Sequence, residues 1–435
     1  QGLTCYKSIS DISGTPDLVC LLIAPNMLIE ALKECALKNI RMVMIHASGF
    51  AETGKDGEML QEEIIYFARK HNIRICGPNT IGIANVNNRV FASFSMAMTS
   101  KEIPMGGKIS YITQSGAIGG AMLSQGWEKK IGINKWISSG NEADLNASDY
   151  LEYAVDDPST GTICLFLEGL ADGKRFKVGL AKAANKKKPV IVYKNGRSNI
   201  GKKSVKSHTG VLAGNHEVYE AVFRQYGAAN AVDLDDLFDY AIAFDNPNKL
   251  KGSSRIGIIS TSGGACTIVT DQCIKYGLEV PEISSKSIKK LAEMSPEFST
   301  PQNPFDTTAQ ILNDPGSFKK CLKVFIEDKN IDAMVLMLTT IGGAIASKVA
   351  EDIIELSKQT DKPMYVAWTI AESLAKEGMN KLREVKIPLY PSAERAVKAL
   401  AAVHKYKVFL EEWEEKKGEY GSSLFASCKE EISNS

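Results

Sequence analysis

A strand, a tight turn of small polar residues and the start of a helix occur together twice in this chain. The first copy is KISYITQSGAIGG, from Lys108, and the second is RIGIISTSGGACTI, from Arg255. Further pairs follow in the same order, TICLFLEGLADG with DAMVLMLTTIGG and KKPVIVYKN with DKPMYVAWT. Short apolar runs that alternate with helices predict parallel sheets with right-handed crossovers. The repeated order predicts an internal structural duplication.

The first hundred residues predict a third, smaller sheet. Apolar runs over 18–24, 41–50 and 73–79 alternate with helical patterns over Leu28–Lys38 and Asp56–His71. Ligands of open parallel sheets bind at the carboxyl ends of the strands. These ends carry Ala24, Pro25, Ser48, Gly49, Phe50 and Asn79. Because the chain starts at Gln1 and enters a strand almost at once, we expect a further segment before it.

Composition excludes several function classes. A net charge of +1, with no basic stripe, argues against nucleic-acid binding. No apolar run is long enough for a membrane span, and no secretory signal is present. The nine cysteines lack metal-ligand spacing, and no metal site is predicted. Cysteines such as Cys20, Cys164 and Cys266 are predicted in strands or at strand ends, which favours reduced thiols and a cytoplasmic protein.

The turn Gln114-Ser115-Gly116 follows the first repeated strand and opens a helix. Free backbone N–H groups and the helix dipole make such a turn suitable for an anion, above all phosphate. An ordinary helix N-cap by Ser115 remains the alternative. A nucleophile elbow is disfavoured, because Thr113 occupies the position that needs glycine.

Two further residues are candidates for chemistry. Glu168 ends an apolar strand, where its carboxylate could orient an imidazole or cap the next helix. His208 lies in the glycine-rich stretch KSHTGVLAG, which is either a plain surface loop or the carrier of a phosphoryl group. The second copy of the repeat has Thr339 in place of Glu168 and no counterpart of the His208 stretch. One copy is therefore predicted to be chemically equipped and the other structural.

These motifs, taken in order, resemble the nucleoside-diphosphate-forming acyl-CoA synthetases of the succinyl-CoA synthetase superfamily. The likeness is to the α subunit, or α half, of the ADP-forming acetyl-CoA synthetase type. It is carried by SGFAETG, CGPNTIGI, ITQSGAIGG, SSGNEADL, LEGLADG, KPVIVYKNGRS, KSHTGVLAG and NPFDTT, which span residues 48 to 308, and by YPSAERAVKAL near residue 400. The third block distinguishes this type from the α subunit of succinyl-CoA synthetase.

The resemblance implies an α/β fold with a CoA-binding Rossmann-like domain, truncated at its N-terminus, followed by two flavodoxin-like domains. The corresponding ranges are 1–104, 105–250 and 251–408, with a charged helix and tail over 409–435. The resemblance also implies a cytoplasmic ligase that forms an acyl phosphate and a phosphohistidine from acyl-CoA. It implies CoA as a ligand, and ADP or ATP with Mg²⁺ bound by an ATP-grasp β subunit or fused C-terminal domain in a hetero- or homo-oligomer.

The resemblance assigns roles to individual residues. His208 would carry the phosphoryl group with Glu168 as its partner, and Ser115 and Gly116 would cradle phosphate. Positions for CoA and its thioester end are Ala24, Pro25, Ser48, Gly49, Phe50, Asn79, Asn141 and Asp144. Two alternatives stay open: a CoA-binding regulatory module without turnover, and an NAD-dependent oxidoreductase. The latter needs a dinucleotide fingerprint upstream, because G-x-G-x-x-G and the P-loop motif are absent from this sequence.

Overall fold

A computed structural model of the chain describes residues 2–99, 106–203, 214–246, 248, 250, 251, 254–294, 300–308 and 315–432. The chain divides into two compact units. Unit 1 comprises Gln1–Glu128, Gly132–Val232 and Lys416–Ser435, and unit 2 comprises Lys129–Ile131 and Asp233–Glu415. Both contain α-helices and largely parallel β-sheet, which confirms the predicted α/β class.

Unit 1 contains a three-stranded parallel sheet of order β1-β2-β3. Its elements are β1 (Val19–Leu21), α1 (Leu28–Leu37), β2 (Met42–Ile45), α2 (Lys55–Lys70) and β3 (Arg74–Cys76). Val43 pairs with Val19 on one side and Ile75 on the other. These strands share a buried core with Leu32 of α1 and Ile64 of α2. Burial of each large aliphatic side chain contributes about 1.5–3 kcal/mol.

A seven-stranded sheet of order β10-β9-β8-β6-β7-β4-β5 makes up the rest of unit 1. Strands β6 to β10 are parallel to their neighbours within that group, whereas β4 runs antiparallel to both β7 and β5. The β4–β5 hairpin was not predicted. The strands are β4 (Gly82–Asn85), β5 (Val90–Ser93), β6 (Ile109–Thr113), β7 (Ile133–Ser138), β8 (Thr162–Leu167), β9 (Val190–Lys194) and β10 (Ala229–Ala231). The helices are α3 (Gly116–Glu128), α4 (Ala147–Asp156), α5 (Gly173–Asn185) and α6 (His216–Gln225).

Unit 2 contains a parallel sheet of order β12-β11-β13-β14-β15. Its strands are β11 (Ile256–Ser260), β12 (Phe305–Asp306), β13 (Ala333–Thr339), β14 (Met364–Thr369) and β15 (Leu389–Tyr390). The helices that begin in it are α7 (Leu234–Asp245), α8 (Gly263–Lys275), α9 (Ser285–Met294), α10 (Pro315–Glu327), α11 (Gly343–Ser357), α12 (Glu372–Glu384) and α13 (Ala393–Ile432).

The predicted duplication is confirmed by hydrogen bonds that occur at matching positions of the two larger sheets. The N–H of Gln114 donates to the Phe166 carbonyl at 3.1 Å, and that of Thr261 donates to the Met337 carbonyl at 3.2 Å. In the same way, Lys188 and Lys362, each two residues before its strand, donate to the backbone carbonyls of Asp157 and Asp328. The two sheets can therefore be compared residue by residue.

Two sequence expectations need correction. Cys266 lies in α8 and not in a strand, because the glycines after β11 begin the helix before that residue is reached. The C-terminal segment forms a continuous helix, α13, as far as Ile432, where an earlier end had been expected. Among the described helices, none is long and apolar enough to cross a membrane.

Candidate active site

The carboxyl ends of β1 and β2 lie against each other. Gly49, after β2, has a φ of 108°, which favours glycine. A Cβ built on it would lie 3.3 Å from Cγ of Pro25, which follows β1 together with Ala24. Phe50 is fully buried, whereas Ser48 is exposed. The close approach of the Pro25 ring to the Gly49 backbone leaves little room for a side chain at residue 49.

Asn79 and Asn141, which are far apart in sequence, meet at the end of β3. The Asn79 amide Nδ2 donates to Oδ1 of Asn141 at 3.2 Å, and the N–H of Asn141 donates to the Pro78 carbonyl at 2.9 Å. Asn141 also donates through Nδ2 to the Glu52 carboxylate, and Glu52 accepts from the N–H of Gly49 at 2.6 Å. A continuous series of hydrogen bonds therefore runs from the end of β2 to the turn after β7 and joins Gly49, Glu52, Asn141 and Asn79.

Glu52 was not predicted to belong to this cluster. Burial by itself would raise the pKa of its carboxyl, but hydrogen bonds from the Gly49 N–H and the Asn141 amide outweigh burial and hold that pKa below its usual range. Glu52 therefore stays ionised at neutral pH and fixes the orientation of the Asn141 side chain. Gln61, whose Oε1 lies 3.2 Å from Asn141 Nδ2, was missed as well.

The structure does not bring Asp144 together with this cluster. The segment after Asn141 runs back along β3, and Asp144 reaches the amino end of that strand. There its carboxylate accepts from Nε of Arg74 at 2.8 Å and from the N–H of Ile75 at 2.9 Å. These contacts explain Asp144 as the anchor of the returning segment, and we leave it out of the proposed CoA site.

The predicted phosphate cradle lies where α3 begins. Ser115 occupies the position before the helix, and its carbonyl accepts from the N–H of Gly119 at 3.0 Å. A Cβ on Gly116 would lie 3.0 Å from Cγ2 of Ile81, so the first turn packs closely on the segment that follows Asn79. The amino end of a 13-residue helix thus lies in the same unit as the Asn79–Asn141 cluster. Its free N–H groups suit a phosphate.

Glu168 is held through its backbone on both sides. The Gln114 carboxamide Oε1 accepts from the N–H of Glu168 and, at 3.1 Å, from that of Gly169, while its Nε2 donates to the Gly169 carbonyl at 2.9 Å. Lys194, at the end of β9, donates through Nζ to the Glu168 carbonyl at 2.7 Å. Burial lowers the pKa of Lys194 to about 8, against the opposing effect of the Glu168 carboxylate.

Glu142 is a second carboxylate on this edge of the sheet. It has a φ of 56° in the turn after β7 and accepts from the Ser139 hydroxyl at 2.7 Å and from the Gln114 side chain. Burial raises the pKa of Glu142 to about 7 despite these two donors. Asn141 and Glu142 are consecutive, so the turn over residues 139–142 joins the Asn79–Asn141 cluster to the Gln114–Glu168 contacts.

His208 lies outside the described residues, which stop at Lys203 and resume at Gly214. Its role therefore stays a prediction. No group of three or more potential metal-ligating side chains occurs in the described parts of the chain.

Sequence reasoning missed Glu52, Gln61, Glu142 and Lys194, although usable signals were present. Glu142 lies inside the quoted motif SSGNEADL, and Lys194 ends an apolar strand just as Glu168 does. A charged residue at the end of a buried strand costs free energy unless it is paired. By this rule Lys194 is as good a candidate as Glu168.

Comparison with known proteins assigns the family. Residues 1–86 match the CoA binding domain family, residues 106–244 the succinyl-CoA ligase like flavodoxin domain family, and residues 256–410 the Ligase-CoA domain family. The alpha subunit of acetate–CoA ligase (ADP-forming) II from Pyrococcus furiosus is 33% identical over 407 residues, which are 93% of this chain and 86% of that protein. The chain belongs to the NDP-forming acyl-CoA synthetases. They are acid–thiol ligases.

Other NDP-forming acyl-CoA synthetases extend beyond this chain. The ADP-forming acetate–CoA ligase of Methanocaldococcus jannaschii is 36% identical over 414 residues, which are 94% of this chain but 56% of that protein. A solved structure of the dinucleotide forming acetyl-coenzyme A synthetase 1 of Ca. Korarchaeum cryptofilum, in complex with phosphate and ADP, has a TM-score of 0.85 at 28% identity. It covers 94% of this chain and 88% of that one. The borders predicted at residues 104, 250 and 408 stay predictions beside the three matched ranges.

Proposed function

We propose that this chain is the α component of an ADP-forming acyl-CoA synthetase, with acetyl-CoA as the expected substrate and His208 as its phosphoryl carrier. The observation that carries the proposal is the position of Glu168. Its backbone is fixed by Gln114, the residue immediately before Ser115 at the start of α3. A carboxylate beside a phosphate-binding helix end is suited to orient an imidazole that accepts phosphate.

In the first step, an oxygen of inorganic phosphate attacks the thioester carbonyl carbon. The new C–O bond gives an acyl phosphate, the C–S bond breaks, and the thiolate of CoA leaves and takes up a proton. Gly49 and Pro25 would line the CoA cleft, while Asn79 and Asn141 would lie at its thioester end. Asn141 is kept in place by the ionised Glu52. The N–H groups at Gly116 would hold the phosphate.

In the second step, a ring nitrogen of His208 attacks phosphorus, the bond to the acyl oxygen breaks, and the carboxylic acid leaves as its anion. Glu168 would hold the other ring nitrogen and so keep the attacking nitrogen basic. In the third step, ADP takes the phosphoryl group from phosphohistidine and becomes ATP. The proposed site for this step is an ATP-grasp subunit or domain, where bound Mg²⁺ would neutralise phosphate charge.

A non-catalytic CoA-binding module is the second candidate. The matched ligase domains and the held Glu168 support turnover instead, because a CoA sensor needs neither a fixed carboxylate nor a phosphate-binding helix end at this edge.

The deciding experiment follows phosphoryl transfer to the protein. The complete enzyme, this chain with its ATP-grasp partner, is incubated with γ-labelled ATP and Mg²⁺, and the protein is tested for a label that is acid-labile and alkali-stable. We expect labelling of the wild type, discharge of the label by CoA plus an acid, and no label on His208→Ala.

His216→Ala is the matched control, because His216 lies eight residues further on, at the start of α6, where its Nε2 is 3.3 Å from Glu220. This variant should be labelled like the wild type. Loss of label from His216→Ala instead of His208→Ala would move the carrier to His216. A wild type that binds ATP but takes no label would leave the regulatory module as the better account.

A further inference from the structure

The duplication provides an internal reference for the chemistry, since the five strands β6 to β10 of the seven-stranded sheet correspond to the five strands of unit 2. Thr261 corresponds to Gln114, and its Oγ1 accepts from the N–H of Thr339 at 3.0 Å, just as Gln114 accepts from Glu168. Thr307 corresponds to Ser139, and their N–H groups donate to Ser260 and Thr113 at 2.8 and 2.9 Å. The backbone contacts are the same in both copies.

The side chains differ at the matched positions. Where unit 1 has Gln114, Glu168 and Lys194, unit 2 has Thr261, Thr339 and Trp368. Lys194 and Trp368 are both almost fully buried, at 1% exposed. Trp368 donates to the Ile341 carbonyl at 2.9 Å, so a neutral aromatic residue satisfies the position in unit 2. This edge of the fold therefore forms without the amide, the carboxylate or the buried cation.

We infer that Glu142, Gln114 and Lys194 form a positioning frame for Glu168, and that this frame sets the rate at which phosphate is transferred to His208. The inference rests on the proposed function. Gln114 lies at the centre of the frame: its oxygen accepts from the backbone of Glu168 and Gly169, and its amide group donates to Gly169 and to Glu142. All the hydrogen-bonding capacity of the Gln114 carboxamide is used in this way.

Each member of the frame restricts one freedom of Glu168. Gln114 fixes the backbone N–H. Glu142 accepts from the Gln114 side chain and so supports its orientation. Lys194 fixes the Glu168 carbonyl and is itself held by the Asn195 carbonyl at 2.6 Å and by the face of the Tyr219 ring, 5.0 Å from Nζ. With its N–H and its carbonyl both bonded, the Glu168 backbone is fixed, and this fixes the point from which its side chain extends. None of the three frame residues needs to touch the phosphoryl group.

The test compares Gln114→Thr, Glu142→Gln and Lys194→Met in the complete enzyme, with the rate of His208 labelling from γ-labelled ATP as the readout. Gln114→Thr places in unit 1 the residue that the duplicated sheet uses, so the fold is expected to survive. We expect each variant to be labelled to the same final extent as the wild type, at a rate lower by about 10- to 100-fold, the usual effect of losing an outer-shell partner.

The discriminating measurement repeats the Gln114 and Glu142 substitutions in a Glu168→Gln background. If the frame acts by placing the Glu168 carboxylate, removing that carboxylate removes the effect, and each double variant should match Glu168→Gln within about twofold. Effects that multiply in this background would overturn the inference, because general structural damage acts with or without Glu168. Unchanged rates in the single variants would also overturn it.

Lys188→Met is the matched control for Lys194→Met. Lys188 belongs to the same chain segment and also donates to backbone carbonyls, those of Ala154 and Asp157, but at the amino end of β9. We expect Lys188→Met to lower the thermal stability and leave the labelling rate unchanged, and equal rate losses in the two variants would contradict the frame. A wild type that takes no label would contradict the proposed function itself. A wild type and three variants that are all labelled at the same rate would contradict only the frame.

Discussion

The carboxyl of Glu142 should make unit 1 less stable as the pH rises, and Glu142→Gln should remove this dependence. Burial raises its folded-state pKa to about 7, from an ordinary value of 4.5. Asp149, whose charge also raises this pKa, adds to the effect. The folded chain therefore binds this proton more tightly than the unfolded chain does.

The size of the effect follows from proton linkage. A difference of this kind corresponds to about 1.4 kcal/mol per pH unit, so the full effect is roughly 3 kcal/mol. The contribution is fully present below the unfolded pKa of 4.5 and is lost as the pH rises through the folded value of about 7. Between about pH 5 and pH 8, unit 1 should lose roughly 2–3 kcal/mol of stability through Glu142 alone.

Glu142→Gln keeps the shape of the side chain and cannot titrate. The assay is thermal unfolding of wild type and variant, followed by circular dichroism across this pH range. For a unit of this size, 1 kcal/mol shifts the melting temperature by about 2–4 °C. From the acidic to the alkaline end, the melting temperature of the variant should therefore rise by about 5–10 °C relative to that of the wild type. Glu63→Gln, an exposed site on α2, controls for the loss of one charge. Identical pH dependence in wild type and Glu142→Gln would refute the argument that burial keeps this carboxyl protonated near neutrality.

Two further predictions concern stability. Gly119→Ala should lower the stability by about 1–3 kcal/mol, because the new Cβ would lie 2.3 Å from Cγ2 of Thr113. In Gly264→Ala, in α8, the new Cβ meets open space, so this variant should be neutral or slightly stabilised. Equal melting temperatures for the two variants would contradict this prediction. Asp157→Asn should cost about 1–3 kcal/mol at pH 7 in urea unfolding. Hydrogen bonds from Lys135, Thr160 and Ser159 outweigh burial and hold the pKa of Asp157 well below its usual range. That stability is present above the ordinary pKa of 3.8 and lost as the pH falls below it, so the difference between wild type and variant should shrink in acid, and a constant difference would argue against an ionised Asp157.

Sequence reasoning found the parallel sheets and the duplication because these depend on local patterns, whereas the roles of the predicted site residues stay predictions. Apolar runs and helical spacing located the strands, and the rule that ligands bind at strand carboxyl ends brought Gly49 together with Pro25. The exchange of Glu168 for Thr339 was also seen correctly, since the repeated motifs align without gaps around it.

The failures come from backbone direction and long-range pairing. The family resemblance of the GNEAD turn grouped Asp144 with Asn141, yet the chain turns between them at Glu142, which has a φ of 56°. Residue composition does not predict this backbone conformation. The β4–β5 hairpin pairs antiparallel with β7, about fifty residues further along the chain, and its own sequence has only a short apolar run. The contacts of Lys194 depend on three elements meeting, which a single segment cannot show.

The turn over residues 139–142 has a consequence for altering the acids that this enzyme accepts. In the proposed function Asn141 would lie at the thioester end, and the next residue, Glu142, would belong to the frame behind Glu168. Selection for a bulkier acid that changed this turn would therefore also disturb phosphoryl transfer, so gains in acceptance would be offset by losses in turnover. The exposed Ser48 carries no such link among the described contacts, and libraries that diversify it while leaving the turn intact offer the safer route to new specificity.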